Sequence, residues 1–232
     1  MKTKAIIMQP WGVRAILDGR KTQTRRVIKP GPEPVTTHPD CSPDGKWIGY
    51  DVYSIVWRTP NSDGGLYTDR DCHSPWKSPY GATGDLLWVR ETWCDIRGGG
   101  FGSQVAYLTD SLDHNGVEDS DSKRARLDYG YKWRPSIFMP RWASRLTLRI
   151  TNVRVERVQD IFETDAHAEG IAIEQLPYNP QDPHPCQTWF KGVWEDINAK
   201  RGYSWESNPW VWVVEFEPIH ENVDRVMERE AS

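Results

Sequence analysis

The sequence predicts an α+β fold: a small, mostly antiparallel β-barrel with helices at its mouth and rim. Three observations lead there. The chain has 232 residues, enough to bury a substantial core in one large domain. Its apolar runs follow the order strand, helix, several strands, helices, strand. Regular alternation of strand and helix is missing, so a layered parallel sheet is not expected. No internal repeat appears, and the reading is a single domain over 1–232 with insertions at about 31–80 and 95–130.

The elements follow in chain order. "KAIIMQ", residues 4–9, is a short strand broken by Pro10 and Gly12. "GVRAILDG" spaces Val13, Ile16 and Leu17 as a short amphipathic helix, and Gly19 is placed to end it in a left-handed turn. "KTQTRRVI" then reads as a turn and strand, so Lys21 and Thr24 are expected just past the helix. Residues 30–82 are rich in Pro, Gly, Asp and Ser with short aromatic-bearing runs, the pattern of a hairpin-rich insertion. "GDLLWVRETW" restores a clear strand. The polar stretch 95–130 reads as a loop around one short strand, "QVAYLT".

An irregular Pro-bounded segment, 133–142, leads into a long strand near 144–157. "TDAHAEG" is a short helix from about 164 to 169, and "TWFKGVWEDINAKRG" is an amphipathic helix closed by Gly202. The last strand covers 209–217, and the charged tail "HENVDRVMEREAS" reads as a frayed helix.

Composition narrows the function. A net charge of −4 and a pI near 5.9 argue against a protein that tracks long nucleic acid, which needs a basic stripe. A small ligand, or a single nucleotide within a strand, stays compatible. The thirteen Trp exceed what a core of this size needs, so most are expected to pack and one or two to face a ligand. Cys41, Cys72, Cys94 and Cys186 form no C-x-x-C pair, and the six His show no ligand spacing on one element, so no metal site is expected. "MKTKAIIMQPW" is too short an apolar run for a signal peptide, and no segment reaches transmembrane length. A cytoplasmic protein with reduced thiols and no membrane partner is the expectation.

"AILDGRKTQTRRVIKP" concentrates cations and two hydroxyls beside a Gly turn. "GRKTQTRR" resembles the ASCH-domain signature Gly-x-Lys-x-x-x-x-Arg, which falls on Gly19, Lys21 and Arg26. "GDLLWVRETW", "WRPSIFMPRWASRLTLRI" and "NPWVWVVEF" resemble the longer, phage- and prophage-associated branch of that family. The resemblance covers both ends and the middle of the chain. It implies a PUA-like barrel with a cleft and a role in nucleic-acid or nucleoside chemistry. One branch is similar to N4-acetylcytidine amidohydrolase, and that likeness implies a catalytic set of Lys21, Thr24 and a distant Glu. Glu169 in "DAHAEG" is the best match, with Glu163 and Glu174 as alternatives.

Hydrolysis of an exocyclic amide needs a nucleophile, a base and an acid for the departing amine. Thr24 supplies a hydroxyl. Lys21 acts as base only when neutral, which burial and the cations Arg20, Arg25 and Arg26 promote. Glu169 would orient the amide and donate to the leaving nitrogen. The expected substrate is a small N4-acylated cytosine nucleoside or modified base, with no cofactor. The alternatives are a non-catalytic module that binds RNA, single-stranded nucleic acid or a modified base, and a phage accessory or morphogenesis protein.

Strand alternation puts Leu87, Val89 and Glu91 on one face. If the first two point inward, so does Glu91, which then needs a base edge or an arginine such as Arg26 as its partner. Arg141, Trp142 and Arg145 offer cation and stacking surface for a base or phosphate. With Arg26 and Glu91 they make up the expected substrate-binding set.

Overall fold

The computed structural model describes residues 1–29, 34–35, 56–57, 78–97, 105–113, 116–176 and 179–231. Strand β1 (Thr3–Ile7) passes into helix α1 (Pro10–Leu17). Pro10 stands in the first helical turn, where its missing N–H is not needed, so the helix starts earlier than the apolar spacing indicated. Gly19 adopts φ +74, the left-handed conformation that turns the chain back. Strand β2 (Gln23–Val27) follows. Of the long insertion, β3 (Pro34–Val35) and β4 (Val56–Trp57) form an antiparallel pair, and most of the expected hairpins lie outside the described residues.

Next come β5 (Leu86–Arg90), then β6 (Trp93–Asp95) paired with β7 (Val105–Tyr107). Helix α2 (Ser120–Asp128) lies in the stretch expected to be loop. The Asp119 side chain accepts from the Ser122 N–H and caps it, and none of its residues is buried. A helix with no buried face carries no apolar period. Strand β8 (Thr147–Arg157), α3 (Glu163–Ala168), α4 (Pro185–Asn198), β9 (Trp210–Ile219) and α5 (Val223–Ala231) complete the chain. The charged tail is thus an ordered helix, anchored by buried Val223 and Val226.

The main sheet has the order β1-β5-β8-β9-β2. Only β1 and β5 run parallel, while the other pairs are antiparallel. This is a mixed α and β fold around a mostly antiparallel sheet. Among the described residues the sheet is open, and β1 and β2 are its edges. Arg26 on β2 spans the gap between them, donating to the Ile7 carbonyl at 2.7 Å and lying 3.3 Å from Met8 Sδ.

Both faces of β9 are covered, which is why "WVWVV" reads as an unbroken apolar run. Val214 and Phe216 pack with Ile6, Val13, Ile16, Leu87 and Leu148 under α1. Val211 and Val213 pack with Ile161, Ala166, Phe190 and Trp194 under α3 and α4. Cys94 and Cys186 are free thiols, both buried.

Candidate active site

Lys21 sits where the Gly19 turn folds back onto α1. The Ala15 carbonyl accepts from the N–H groups of both Arg20 and Lys21, which fixes the backbone there. Lys21 pairs with Glu169 as an isolated antiparallel bridge, and the Thr22 N–H donates to the Ala168 carbonyl at 2.9 Å. The end of α3 thereby extends the sheet edge beyond β2. The approach needs a glycine at 170: its φ is +106, and a Cβ there would lie 2.7 Å from Ala15 Cβ and 2.8 Å from Lys21 Cβ.

The Lys21 amine donates to the Glu169 carboxylate at 2.6 Å and to the Glu169 carbonyl at 2.7 Å. The two side chains are only 2% and 4% exposed. Trp11 of α1 closes one side, its ring centre 5.3 Å from the amine, and meets Trp189 of α4 edge to face. Burial lowers the Lys21 pKa; Glu169 opposes that shift, while Arg26 and Arg25 add to it.

The other Glu169 oxygen accepts from Arg25 at 3.2 Å. The fully buried Arg25 guanidinium also donates to Glu156 at 2.6 Å and Asp165 at 3.0 Å. Arg154 binds Asp165 at 2.7 Å, Glu156 at 3.1 Å and Glu215. A charged lattice therefore ties β2, β8, β9 and α3 together behind the Lys21–Glu169 pair. Gln23 strengthens it by donating to the Asp165 carbonyl at 2.6 Å.

Thr24 is 2% exposed and pairs in register with Val214, whereas Arg25 pairs with Val213. Strand alternation therefore puts Thr24 and Arg26 on the α1 face and Arg25 on the α3 face. The Thr24 hydroxyl makes no hydrogen bond to the described residues. Arg26 lies within electrostatic reach of Lys21, Glu169 and the Tyr80 hydroxyl.

The other carboxylates considered have separate tasks. Glu163 accepts the N–H groups of Cys186 and Gln187 and caps α4, and Glu174 is exposed. Glu91 is 1% exposed and faces inward with Leu87 and Val89, as alternation predicts. Its partner is Arg145, at 2.9 and 3.0 Å, rather than Arg26, and Thr109 donates to it at 2.9 Å. Burial pushes the Glu91 pKa above the ordinary carboxylate value against the pull of Arg145. Arg145 also holds Asp110 at 2.7 Å. Arg141 binds Asp224 and Thr3 at 2.8 and 2.7 Å, clasping α5 to β1. Trp142 is 44% exposed.

Of the expected residues, the structure brings Lys21, Glu169 and Arg26 into one neighbourhood and sets Thr24 on the adjoining strand position. Glu91, Arg141, Trp142 and Arg145 bind other partners. Sequence reading missed Trp11, Glu156, Asp165 and Tyr80. The alternation of Arg154 and Glu156 along β8 was an available sign of a charged strand face. Among the described residues no three His, Cys, Asp or Glu side chains group so as to hold a metal ion. Nor is any described helix long and apolar enough to cross a membrane. Comparison with protein-family models, curated proteins and solved structures gives no match.

Proposed function

We propose that the chain is an ASCH-type amidohydrolase with a PUA-like barrel, removing the acyl group from N4-acylated cytosine nucleosides. The observation that carries this reading is the buried Lys21 amine held 2.6 Å from the buried Glu169 carboxylate. A lysine kept dry has lowered proton affinity and can serve as a base near neutral pH. Glu169 and Lys21 together form a unit that takes up one proton and gives one back.

Lys21 bonds Glu169 rather than Thr24, which favours attack by a water that Thr24 orients over attack by Thr24 itself. The water oxygen adds to the acyl carbon as its proton passes to Lys21. The acyl C–N4 bond then breaks as a proton from the pair reaches N4, leaving the cytosine nucleoside and a carboxylic acid that gives its remaining proton to solvent. Arg26, within electrostatic reach of the pair, supplies positive charge for the oxyanion. This chemistry uses no cofactor.

A second reading, a non-catalytic module for a modified base, draws on one observation: Lys21 and Arg25 already engage both Glu169 oxygens. The test is incubation with N4-acetylcytidine, following the ultraviolet change. The hydrolase reading expects wild-type turnover that falls at least about 100-fold in Lys21→Ala and in Glu169→Ala, with Glu91→Gln retaining activity. Binding without turnover by the wild type selects the second reading.

A further inference from the structure

The segment after α2 builds an exposed platform outside the site described above. Two short 3-10 turns, Ser136–Phe138 and Arg141–Ala143, are separated by Met139 and Pro140. Met139 and Ala143 are buried and anchor them. Their neighbours consequently point outward: Phe138 is 69% exposed and Trp142 44%. Pro135 and Pro140 fix φ around these turns, so the display is stiff.

One flat cation rests on the exposed Trp142 ring of this platform, and another on the buried Trp93 ring beneath it. The Arg97 guanidinium lies 4.7 Å from the Trp142 ring centre, and that of Arg134 lies 5.2 Å from Trp93. Trp93 meets Trp142 edge to face at 5.9 Å. The Trp142 face thus accepts a planar group at stacking distance.

A charged hollow adjoins the platform. The Asn222 side chain donates to the carbonyls of Arg141 at 2.9 Å and Ser144 at 2.7 Å, tying the turns to the start of α5. Asn222, Ser144, Arg145, His220, Arg225 and Arg229 line the hollow beside them. Most nearby charge is matched: Arg145 with Glu91 and Asp110, Arg141 with Asp224, Arg229 with Glu221. Arg134 and Arg225 make no ion pair with the described residues and are exposed.

We propose that this face binds a short single-stranded nucleic acid, its bases stacking on Trp142 and Phe138 and its phosphates meeting Arg134 and Arg225. Aromatic platforms take unpaired bases of any sequence, and a duplex hides those faces. Two exposed arginines outside any ion pair of the described residues suit a few nucleotides and agree with a chain too acidic to follow a long polymer. The inference is independent of the hydrolase reading.

The test is fluorescence anisotropy of the full chain at low salt. The probes are labelled eight-nucleotide single-stranded RNA and DNA and a duplex of the same sequence. Both single strands should bind, with the duplex at least about tenfold weaker. Trp142→Ala and Phe138→Ala should each weaken single-strand binding about tenfold. Arg225→Glu should weaken it and flatten a salt dependence whose wild-type slope is about −1.4, the value for two phosphates. Melting curves for each variant confirm that the fold is kept. Absence of single-strand binding overturns the proposal, as does binding that Trp142→Ala and Arg225→Glu leave unchanged. A dimer dissolved by Trp142→Ala, or capture by anionic vesicles, overturns it when oligonucleotides do not bind.

Discussion

Glu169 and Glu91 are buried to nearly the same depth, 3% and 1% exposed, yet their partners differ in kind. Glu169 holds a lysine and an arginine that are both sealed from solvent. Glu91 holds an arginine that is 23% exposed and shared with Asp110 at the surface. Arginine keeps its proton at any ordinary pH, so the Glu91 pair can only clamp. Lysine can release its proton once dry, so the Glu169 pair can also move one. A buried ion pair becomes a candidate for chemistry through the titratability of its cation.

The comparison can be broken or sharpened by measurement, the largest effect first. Glu169→Ala strands Lys21 without its charge partner and should cost about 3–5 kcal/mol in urea unfolding. Gly170→Ala forces a side chain into a left-handed position against Ala15 and Lys21, and should cost about 2–4 kcal/mol. Glu91→Gln leaves Arg145 with Asp110 and solvent, so about 1–3 kcal/mol is expected. If Glu91→Gln proves worse than Glu169→Ala, the contrast between sealed and vented pairs is wrong.

The two pairs should also respond to pH with opposite signs. Lys21 has a folded pKa below its unfolded value, so its contribution is present above the ordinary lysine value and lost as pH falls through the lowered one. Wild type should therefore gain stability over Lys21→Met as pH rises toward about 10.4. Glu91 has a raised folded pKa, so its contribution is present below the ordinary carboxylate value and lost as pH rises through the raised one. Unfolding of wild type and Glu91→Gln across the acid range tests that half. The smallest effect belongs to Thr24→Val. It removes a hydroxyl with no described partner and should change stability by no more than about 0.5 kcal/mol, while the hydrolase reading expects turnover to collapse.

How much of this was legible depended on distance along the chain. The Gly19 turn, a strand following it (Gln23–Val27) and the inward face of Glu91 follow from local spacing, and the structure has all three. Glu169 lies 148 positions from Lys21, and spacing alone gives no reason to choose it over Glu163. Arg25 was expected as one of the cations beside Lys21, but β2 turns it to the α3 face, where it also meets Glu156 and Asp165. Such pairings depend on which strands become neighbours, and local periodicity does not encode that. Helix α2 was hidden for the opposite reason: a cap and solvent hold it, with no buried stripe to show in the sequence.

The central claim concerns one amine, and its titration tests it directly. Carbon-13-labelled lysine, with Lys21→Met assigning the signal, gives the Lys21 pKa by NMR. The account predicts a midpoint below that of the surface lysines and a further fall in Glu169→Gln. A Lys21 signal that titrates together with the surface lysines would contradict it.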